Sequence, residues 1–593
     1  MQHRPWLRRL TLAALSLLSA CAAADPSGFA ATTTGSEAAR HGQAEPGFGL
    51  AGSVLTGRFA AAEGDDAFAA TAFLHALSID PTSPELRQQA FIAALLSGRS
   101  EAARLAQMMP DDQTGILLLA GEDARAGRWE QAETRFASLP RQGLAEVLQP
   151  LLLAWAQAGE GRADVALATL AAAPEAQRLR ALYALHGAMI ADYAHKSAEA
   201  ARLYRIAVVE FGGTDLSLAR QVASWQIRQG HADEAKQTLA TLLSAAPDLA
   251  IIAPGLEASL AQPQIHTPLD GMAEAYVTLG AALRGGERTT YSLILAQLAL
   301  NLQPDLTSAR MLASELDEAR GKPDQALALL VAVSASDPLA PLVRLRQAAL
   351  ANRLGDTADA LHQLDQLAQL LPNRPEIPTL QGDILREKKR FTEAAAAYDR
   401  AIAVSPQPPQ RASWVLYYNR GIALDRARQW ARAEADFLQA LTLEPEQPFV
   451  MNYLGYSWTE QGRNLPRARE MIERAVQLRP NDGEIIDSLG WVLLRQGDVR
   501  AAIKYLERAV EIESEDSTIN GHLGDAYWAA GRKLEAQFQW RHALTLKPDA
   551  DDVPKLQAKL REAGDTAVQN RISSVMSADT KRLLAPYEAK LFS

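Results

Sequence analysis

Small residues recur at nearly constant spacing along residues 382–548, and this pattern limits the folds that the chain can adopt. The glycines that begin the rows are 34 to 39 residues apart: Gly382, Gly421, Gly455, Gly490 and Gly524. An alanine follows each glycine after 12 or 13 residues, and a second alanine follows seven residues later. In four of the five rows, a proline comes five residues after the second alanine. A period of about 34 residues is typical of stacked helix pairs.

The chemistry of these positions agrees with helix pairs. Where two helices of a pair cross closely, a side chain larger than alanine would push the backbones apart. Between the small residues, apolar side chains such as Leu489, Leu493 and Leu506 recur at helical spacing and would bury one face of each helix. Proline ends the second helix because it has no N–H to continue the hydrogen-bond ladder. The sequence therefore predicts an all-α fold.

A less regular form of the pattern extends through most of the chain before residue 382. We expect about fourteen helix pairs in total, each in contact mainly with its neighbours. Residues 248–271 interrupt the period, either as a loop or as one extra helix, and are the best candidate for a joint. The predicted segments are a leader at 1–20, a flexible tether at 21–48, a divergent N-terminal array at 49–247, an irregular connector at 248–271, a C-terminal array at 272–549, and a cap helix with a tail at 550–593.

The best-formed unit resembles a known repeat family. It contains Leu523-Gly524, Tyr527, Ala536, Trp540 and Ala543, followed by Pro548. These positions resemble the tetratricopeptide repeat (TPR), with tryptophan where phenylalanine is usual. The resemblance implies a TPR solenoid in which the helix pairs form a right-handed superhelix.

The first twenty residues resemble a bacterial export signal. Three arginines precede an apolar run that is too short to span a bilayer as a helix. The run ends in Leu18-Ser19-Ala20-Cys21, which resembles the lipobox of bacterial lipoproteins. This resemblance implies that Cys21 is lipidated, and Ala22 favours sorting to the outer membrane. The alternative is an ordinary secretory signal in which the cysteine occurs by chance.

The net charge excludes some partners. The chain has a net charge of −10, and removal of the leader would take away only positive charge. An acidic protein is poorly suited to bind nucleic acid or anionic lipid, so we expect no nucleic-acid partner. Attachment to the membrane would depend on the lipid at Cys21, and acyl chains anchor a protein by burying methylene groups.

No motif for catalysis or cofactor binding is present in the sequence. It contains no phosphate-binding loop, no dinucleotide fingerprint, no nucleophile elbow and no zinc-binding histidine pair. Carboxylate pairs such as Asp65-Asp66 are expected at helix N-termini or in solvated turns. We predict a binding protein without enzymatic activity, cofactor or metal.

The TPR resemblance also implies where a partner would bind. In that family the first helices of the pairs form a concave face. The positions that match it here are Tyr418, Asn452, Tyr456, Asp487, Trp491, Arg495, Asp525 and Trp528. Aromatic and polar side chains together suit a peptide segment, and three of the aromatic residues are expected to lie in a row. The alternative is that some of these rings pack against the neighbouring helix.

Length, lipobox and early onset of repeats together are similar to a group of outer-membrane lipoproteins. These lipoproteins recruit and activate periplasmic carboxyl-terminal processing proteases in Gram-negative bacteria, and the resemblance implies a protease and its substrates as partners. One rival function is an outer-membrane, pilotin-like accessory of polysaccharide or protein export. A second rival is an O-linked sugar transferase with TPR repeats, which is disfavoured because no nucleotide-sugar domain follows the repeats.

Overall fold

The computed structural model describes residues 49–173, 179–211, 215–285 and 288–564. Every regular element in these residues is a helix. The predicted leader with Cys21, the predicted tether and the predicted tail beyond Gly564 lie outside the described residues. The all-α prediction is confirmed for the part of the chain that the structure describes.

Helices follow one another in antiparallel pairs, and the chain divides into two compact units, Met1–Leu380 and Gln381–Ser593. The pairs that begin in the first unit are α1 Leu50–Ala62 with α2 Asp66–Ile79, α3 Pro84–Leu96 with α4 Glu101–Gln107, α5 Gln113–Arg125 with α6 Trp129–Ala137, α7 Leu144–Gly159 with α8 Ala163–Ala171, α9 Arg180–Tyr193 with α10 Ser197–Phe211, and α11 Leu216–Arg228 with α12 Ala232–Ala245.

A short helix, α13 Ala253–Ser259, separates those pairs from the rest. The pairs that follow it are α14 Pro268–Ala282 with α15 Thr289–Leu302, α16 Thr307–Ala319 with α17 Pro323–Val331, α18 Ala340–Arg353 with α19 Thr357–Leu370, α20 Glu376–Glu387 with α21 Phe391–Val404, α22 Trp414–Arg426 with α23 Trp430–Leu443, α24 Pro448–Glu460 with α25 Leu465–Leu478, α26 Gly483–Arg495 with α27 Val499–Ile512, and α28 Ser517–Ala529 with α29 Lys533–Thr545. The last described helix is α30 Val553–Glu562. The described residues thus contain the fourteen helix pairs that the sequence predicts.

The recurring glycines and alanines lie at the helix crossings, as predicted. A Cβ atom on Gly490 would lie 2.5 Å from Cγ of Leu506, and one on Gly421 would lie 2.7 Å from the Phe437 ring. The alanines of the five rows are fully buried. Because even one methyl group would clash at these glycines, the spacing in the sequence fixes how closely the two helices of a pair approach.

The turn between the two helices of a pair requires a left-handed backbone residue. Gly497 and Gly531 occupy this position with φ of 87° and 79°, a region that glycine enters without steric cost. Lys389 and Arg428 occupy the same position in their pairs, with φ of 58° and 61°. These two turns therefore carry strain that glycine would relieve.

The segment predicted as an irregular connector contains short helices. Residues Pro247–Ile252 form a 3-10 helix that leads directly into α13. Backbone N–H groups of His266 and Thr267 donate to the Asp270 carboxylate at 2.8 Å and begin α14 with a capping box. The two compact units divide within α20 instead, and the domain boundaries expected from the sequence stay predictions.

In the first unit the helix pair after the connector packs back onto earlier pairs. Helix α14 packs on α7 and α9, and α15 packs on α3 and α5, all of which are first helices of their pairs. One apolar core accordingly runs from Ala60 to Leu316. The expectation that each pair contacts mainly its neighbours is wrong for the pair of α14 and α15, which packs mainly on the four earlier first helices. In α9 every residue from Ala181 to Ala191 is buried, and α14 supplies part of this cover.

Two contacts show how close this long-range packing is. A Cβ atom on Gly271 in α14 would lie 2.1 Å from the ring of Trp155 in α7, so the indole packs directly on the backbone of α14. The Arg320 guanidinium pairs with the Asp66 carboxylate at 2.8 Å across 254 positions of sequence. Both partners of this ion pair are mostly shielded from solvent.

The second unit keeps the sequential packing expected of a repeat array. The helices α24, α26 and α28 pack side by side, and each packs on the second helix of its own pair. Helix α30 covers α29 with Leu556 and Leu560, both of which are buried. Across the described residues, none of the helices has both the length and the apolar composition that crossing a bilayer requires.

Candidate protein-interaction surface

The first helices α22, α24, α26 and α28 carry all eight residues that the sequence predicts for partner binding. We refer to the face that these four helices share as the first-helix face of the second unit. In the first unit the equivalent face of α3, α5, α7 and α9 is covered by α14 and α15. Within the second unit no other helix pair lies across α24, α26 and α28 among the described residues.

An aromatic and charged cluster lies at the centre of the first-helix face. The imidazole of His522 in α28 stacks on Trp491 in α26, with ring centroids 4.1 Å apart and planes inclined by 16°. Nδ1 of His522 donates to the Asp487 carboxylate, 2.8 Å from Oδ2 and 3.0 Å from Oδ1. Asp487 is buried, so the imidazole shields its charge from solvent. Three side chains from two neighbouring repeats thus support one another.

Burial and charge act on His522 in opposite directions. Burial lowers its pKa, and the Asp487 carboxylate, which accepts a hydrogen bond from Nδ1, raises it. The carboxylates of Asp525 and Glu460 act in the same direction as Asp487. The net result is a pKa above the ordinary histidine value, which favours the imidazolium form beneath Trp491.

Tyr456 of α24 completes the cluster. Its ring lies 6.2 Å from the His522 ring, and it is half-buried. Burial raises the pKa of Tyr456, and the nearby carboxylates of Glu460, Asp487 and Asp552 raise it further. Its hydroxyl group is therefore a neutral hydrogen-bond donor at physiological pH.

The indole of Trp491 is held by a hydrogen bond and remains half-exposed. Its Nε1 donates to Glu460 Oε1 at 2.6 Å, across the interface between α26 and α24. The exposed guanidinium of Arg495 lies 5.8 Å from the centroid of the Trp491 ring. The ring is thus fixed in orientation, with part of its surface open to solvent, as suits contact with a partner.

Two other predicted residues lie to one side of this cluster, in the preceding repeats. Tyr418 packs at 6.1 Å from Phe437 and 6.2 Å from Tyr453, and burial raises the pKa of Tyr418 to about 12. The side-chain oxygen of Asn452 is buried and has no hydrogen-bond partner among the described residues.

The last two predicted residues belong to a separate group at the end of the unit. Trp528 packs against Trp540 of α29 with centroids 5.4 Å apart, rather than against Trp491. Asp525 accepts hydrogen bonds from Trp540 Nε1 at 2.9 Å and from Lys559 Nζ of α30 at 2.6 Å. The structure therefore brings Tyr456 and Trp491 together through His522, and it places Trp528 with the second helix of its own pair.

Sequence reasoning missed His522 as a member of the site. It directly precedes the Leu-Gly pair of its repeat, and one repeat earlier the two residues that contact it are Asp487 and Trp491. Comparing charged and aromatic residues one period apart would have revealed this contact. A comparison between repeats could not have revealed the hydrogen bond of Lys559 to Asp525, because α30 lies outside the repeat period.

The described residues offer no obvious metal site. Within them, no group of three or more histidine, cysteine, aspartate or glutamate side chains is arranged to hold a metal ion. The absence of a cofactor, of a metal and of enzymatic activity stays a prediction from the sequence. The chemistry that the first-helix face does offer is aromatic contact, hydrogen bonding and fixed charge.

Family models match the part of the chain that contains this surface. A model described as a tetratricopeptide repeat-like domain matches residues 273–413, and one described as a tetratricopeptide repeat matches residues 418–483 and 488–548. These residues are tetratricopeptide repeats. TPR arrays present extended binding surfaces, so they indicate a protein-interaction scaffold.

Two curated relatives match this chain over part of their own length. A TPR repeat-containing protein of Pseudomonas aeruginosa is 29% identical over 208 residues, which are 30% of this chain and 35% of that protein. Cellulose synthase operon protein C of Pseudomonas fluorescens is 25% identical over 484 residues, which are 76% of this chain and 35% of that protein. The matched part spans about a third of the length of each of these two relatives.

Solved structures match at lower identity. Yeast Tom70 has a TM-score of 0.35 and 14% identity, and the match covers 79% of this chain and 98% of that chain. A tetratricopeptide repeat protein from Parabacteroides merdae has a TM-score of 0.35 and 15% identity, with coverage of 42% and 96%.

Proposed function

We propose that this chain is a non-enzymatic adaptor that binds a protein segment on the first-helix face of the second unit. The observation that carries the proposal is the cluster of Tyr456, Trp491 and His522, which is held rigid by Asp487 and Glu460 but left partly open. A fixed aromatic ring with exposed surface is the kind of anchor that dominates protein interfaces.

The same proposal places the adaptor at the bacterial outer membrane. It rests on the lipobox-like residues that end at Cys21, through which a lipid would anchor the protein facing the periplasm. We further propose that the partner is a carboxyl-terminal processing protease or its substrate, on the resemblance to lipoprotein adaptors. Holding both on one scaffold would raise their effective concentration and so speed cleavage without new chemistry.

A second candidate is an accessory role in polysaccharide export. One specific observation favours it, namely the match to cellulose synthase operon protein C over 76% of this chain. In this alternative the first-helix face would bind a component of a synthase or export complex.

Direct binding measurements distinguish the two candidates. The chain without residues 1–21 is immobilised, and envelope extract from the source bacterium is passed over it, followed by the purified candidate protease and the purified export component. Saturable binding of the protease, with faster cleavage of a substrate in the presence of the chain, supports the adaptor role. Binding of the export component alone supports the alternative, and binding of neither purified protein contradicts both.

The variant Trp491→Ala tests whether the proposed face is the one used. Because a true aromatic anchor contributes at least about 1.4 kcal/mol, the partner Kd should rise about tenfold or more. A matched control is Trp430→Ala, which removes a half-buried indole at the start of a second helix, α23. Melting temperatures of both variants correct for the folded fraction. A lowered melting temperature with unchanged affinity for Trp491→Ala would mean that the ring only packs between repeats.

A further inference from the structure

Exposed large apolar side chains are concentrated in the first helix pair, α1 with α2. Eighteen large apolar side chains in the described residues are exposed, and five of them are in α1 and α2: Leu50, Leu55, Phe59, Phe68 and Ile79. Leu55 and Phe59 leave 67% and 69% of their surface in solvent. Contiguous exposed apolar surface on a soluble domain usually marks an interaction site.

Five of the seven exposed residues of α1 form one stripe along the helix. Ala51, Leu55, Arg58, Phe59 and Ala62 are all exposed, and their spacing of four, three, one and three residues places them on one helix face. The opposite face is buried against α2. We call these five residues the α1 stripe. A terminal helix of a repeat array normally presents a polar outer face, so this stripe is unusual.

Charge on the stripe differs from charge on the rest of the protein. The α1 stripe carries one cation, Arg58, and no carboxylate, although the whole chain has a net charge of −10. A helix that lies in the plane of a membrane surface buries apolar side chains such as Leu55 and Phe59 at the boundary between headgroups and acyl chains.

We propose that the α1 stripe rests on the surface of the lipid bilayer to which the chain is anchored. This inference depends on the lipid anchor of the proposed function. Only residues 22–48 separate Cys21 from α1, and a flexible chain of that length reaches roughly 30 Å. Helix α1 is thus the first described helix after the proposed anchor. Stable attachment usually needs more than one membrane contact, and the stripe supplies a second one.

Two other occupants fit the observations less well. Residues 22–48 contain only two large apolar side chains, Phe29 and Phe48, which are too few to cover the stripe. A second copy of the chain could cover it, but two stripes placed face to face would bring the cation Arg58 close to its own copy in the partner.

The inference is tested with a fluorescent label on a tethered protein. A histidine tag replaces residues 1–21, and the chain is bound to phosphatidylcholine vesicles that contain a small fraction of nickel-chelating lipid. Cys21 is the only cysteine, so Phe59→Cys gives a single site for an environment-sensitive dye. The matched control is Phe538→Cys, which is 63% exposed on α29 in the last helix pair. Circular dichroism verifies that both variants remain folded.

We expect a blue shift at position 59 on vesicles, with strong quenching by nitroxide-labelled lipid, and neither effect at position 538. An emission wavelength at position 59 that is the same on vesicles as in water would overturn the proposal. A blue shift without vesicles, growing with protein concentration, would assign the stripe to a second copy and also overturn it. Because the tag supplies the tether, these results do not depend on lipidation of Cys21, and partner binding on the first-helix face is measured separately.

Discussion

At the scale of single residues, the first-helix face depends on one pair of charges. His522 donates to Asp487 and lies beneath Trp491, so its protonation state affects both the charge and the position of the aromatic ring. Burial lowers the pKa of His522, whereas the carboxylates of Asp487, Asp525 and Glu460 raise it, and the net direction is upward.

The raised pKa of His522 predicts how stability changes with pH. A group whose pKa is higher in the folded state stabilises the fold below its unfolded pKa, about 6.5 for histidine, and loses this effect as the pH rises through the folded value. The excess stability of the wild type over His522→Gln should therefore shrink as the pH rises from about 6. Denaturant unfolding of both proteins over a pH series measures the difference. A difference independent of pH would contradict the ion pair.

The turn residue Arg428 gives a second residue-scale prediction. It is exposed and has a positive φ of 61°, where a side chain costs about 1 kcal/mol relative to glycine. Arg428→Gly should therefore raise the free energy of unfolding by roughly 1 kcal/mol. Arg428→Ala keeps the Cβ atom and serves as the control, which should change little. Equal stability of both variants would show that the turn is not strained.

At the scale of helices, the two units distribute their contacts differently. Pairs in the second unit contact their sequence neighbours, whereas α14 and α15 of the first unit contact helices far back in the chain. A destabilising substitution should therefore affect only nearby helices in the second unit, but also distant helices in the first unit. Hydrogen exchange measures this difference, because it reports the opening of each helix separately.

For the second unit we predict a local effect from Ala536→Phe. Ala536 is fully buried at the crossing of α28 and α29, so a phenyl ring would overpack it at a cost of about 1–3 kcal/mol. Protection from hydrogen exchange should fall first in α28, α29 and α30. An equal loss of protection from α20 to α30 would instead show that the unit unfolds as one body.

For the first unit we predict a long-range effect from Gly271→Ala. The added methyl group would meet the Trp155 ring, whose Nε1 is fixed by a 3.0 Å hydrogen bond to His186. Protection should therefore fall in α7 and α14 together, with a loss of stability of about 1–3 kcal/mol. Gly521→Ala is the control, since its Cβ would lie 3.6 Å from the nearest side chain. Loss of protection in α14 alone would contradict close packing on α7.

At the scale of the whole molecule, α14 and α15 complete the core of the first unit. A fragment of residues 49–267 lacks both helices and would expose the apolar faces of α3, α5, α7 and α9. We expect this fragment to aggregate or to bind an apolar dye, whereas a fragment of residues 49–380 should melt cooperatively. Calorimetry and dye binding on the two fragments provide the measurement. Cooperative melting of the shorter fragment would show that the long-range packing is dispensable.

The location of the whole protein depends on Cys21. If this residue carries the lipid, Cys21→Ser should leave the protein unprocessed or release it from the outer-membrane fraction, because the acyl chains supply the anchoring energy. Fractionation and the mass of the mature protein are measured in wild type and variant. Unchanged fractionation and mass would contradict lipidation.

The sequence by itself determined the helix pairs. Glycine and alanine at fixed intervals allow only close helix crossings, and the structure has Leu506 and Phe437 against Gly490 and Gly421 as that spacing requires. The TPR resemblance also implied that Tyr456, Trp491 and Asp487 would lie on first helices, because a repeat array carries each position from one unit to the next. Local spacing is sufficient for such features, since each depends on residues within one or two repeats.

Only the tertiary structure decided the contacts that cross the period. The return of α14 onto α7 joins Gly271 to Trp155, and the ion pair of Arg320 with Asp66 joins residues 254 positions apart. A repeating pattern does not specify which distant helix an apolar helix packs on. Many packing arrangements would remove a similar apolar area from water. The same limit applies to His522, whose role depends on the ring that happens to stack on it. The sequence requires the apolar helix faces to be buried, but only the packing of the complete unit decides which helix buries each face.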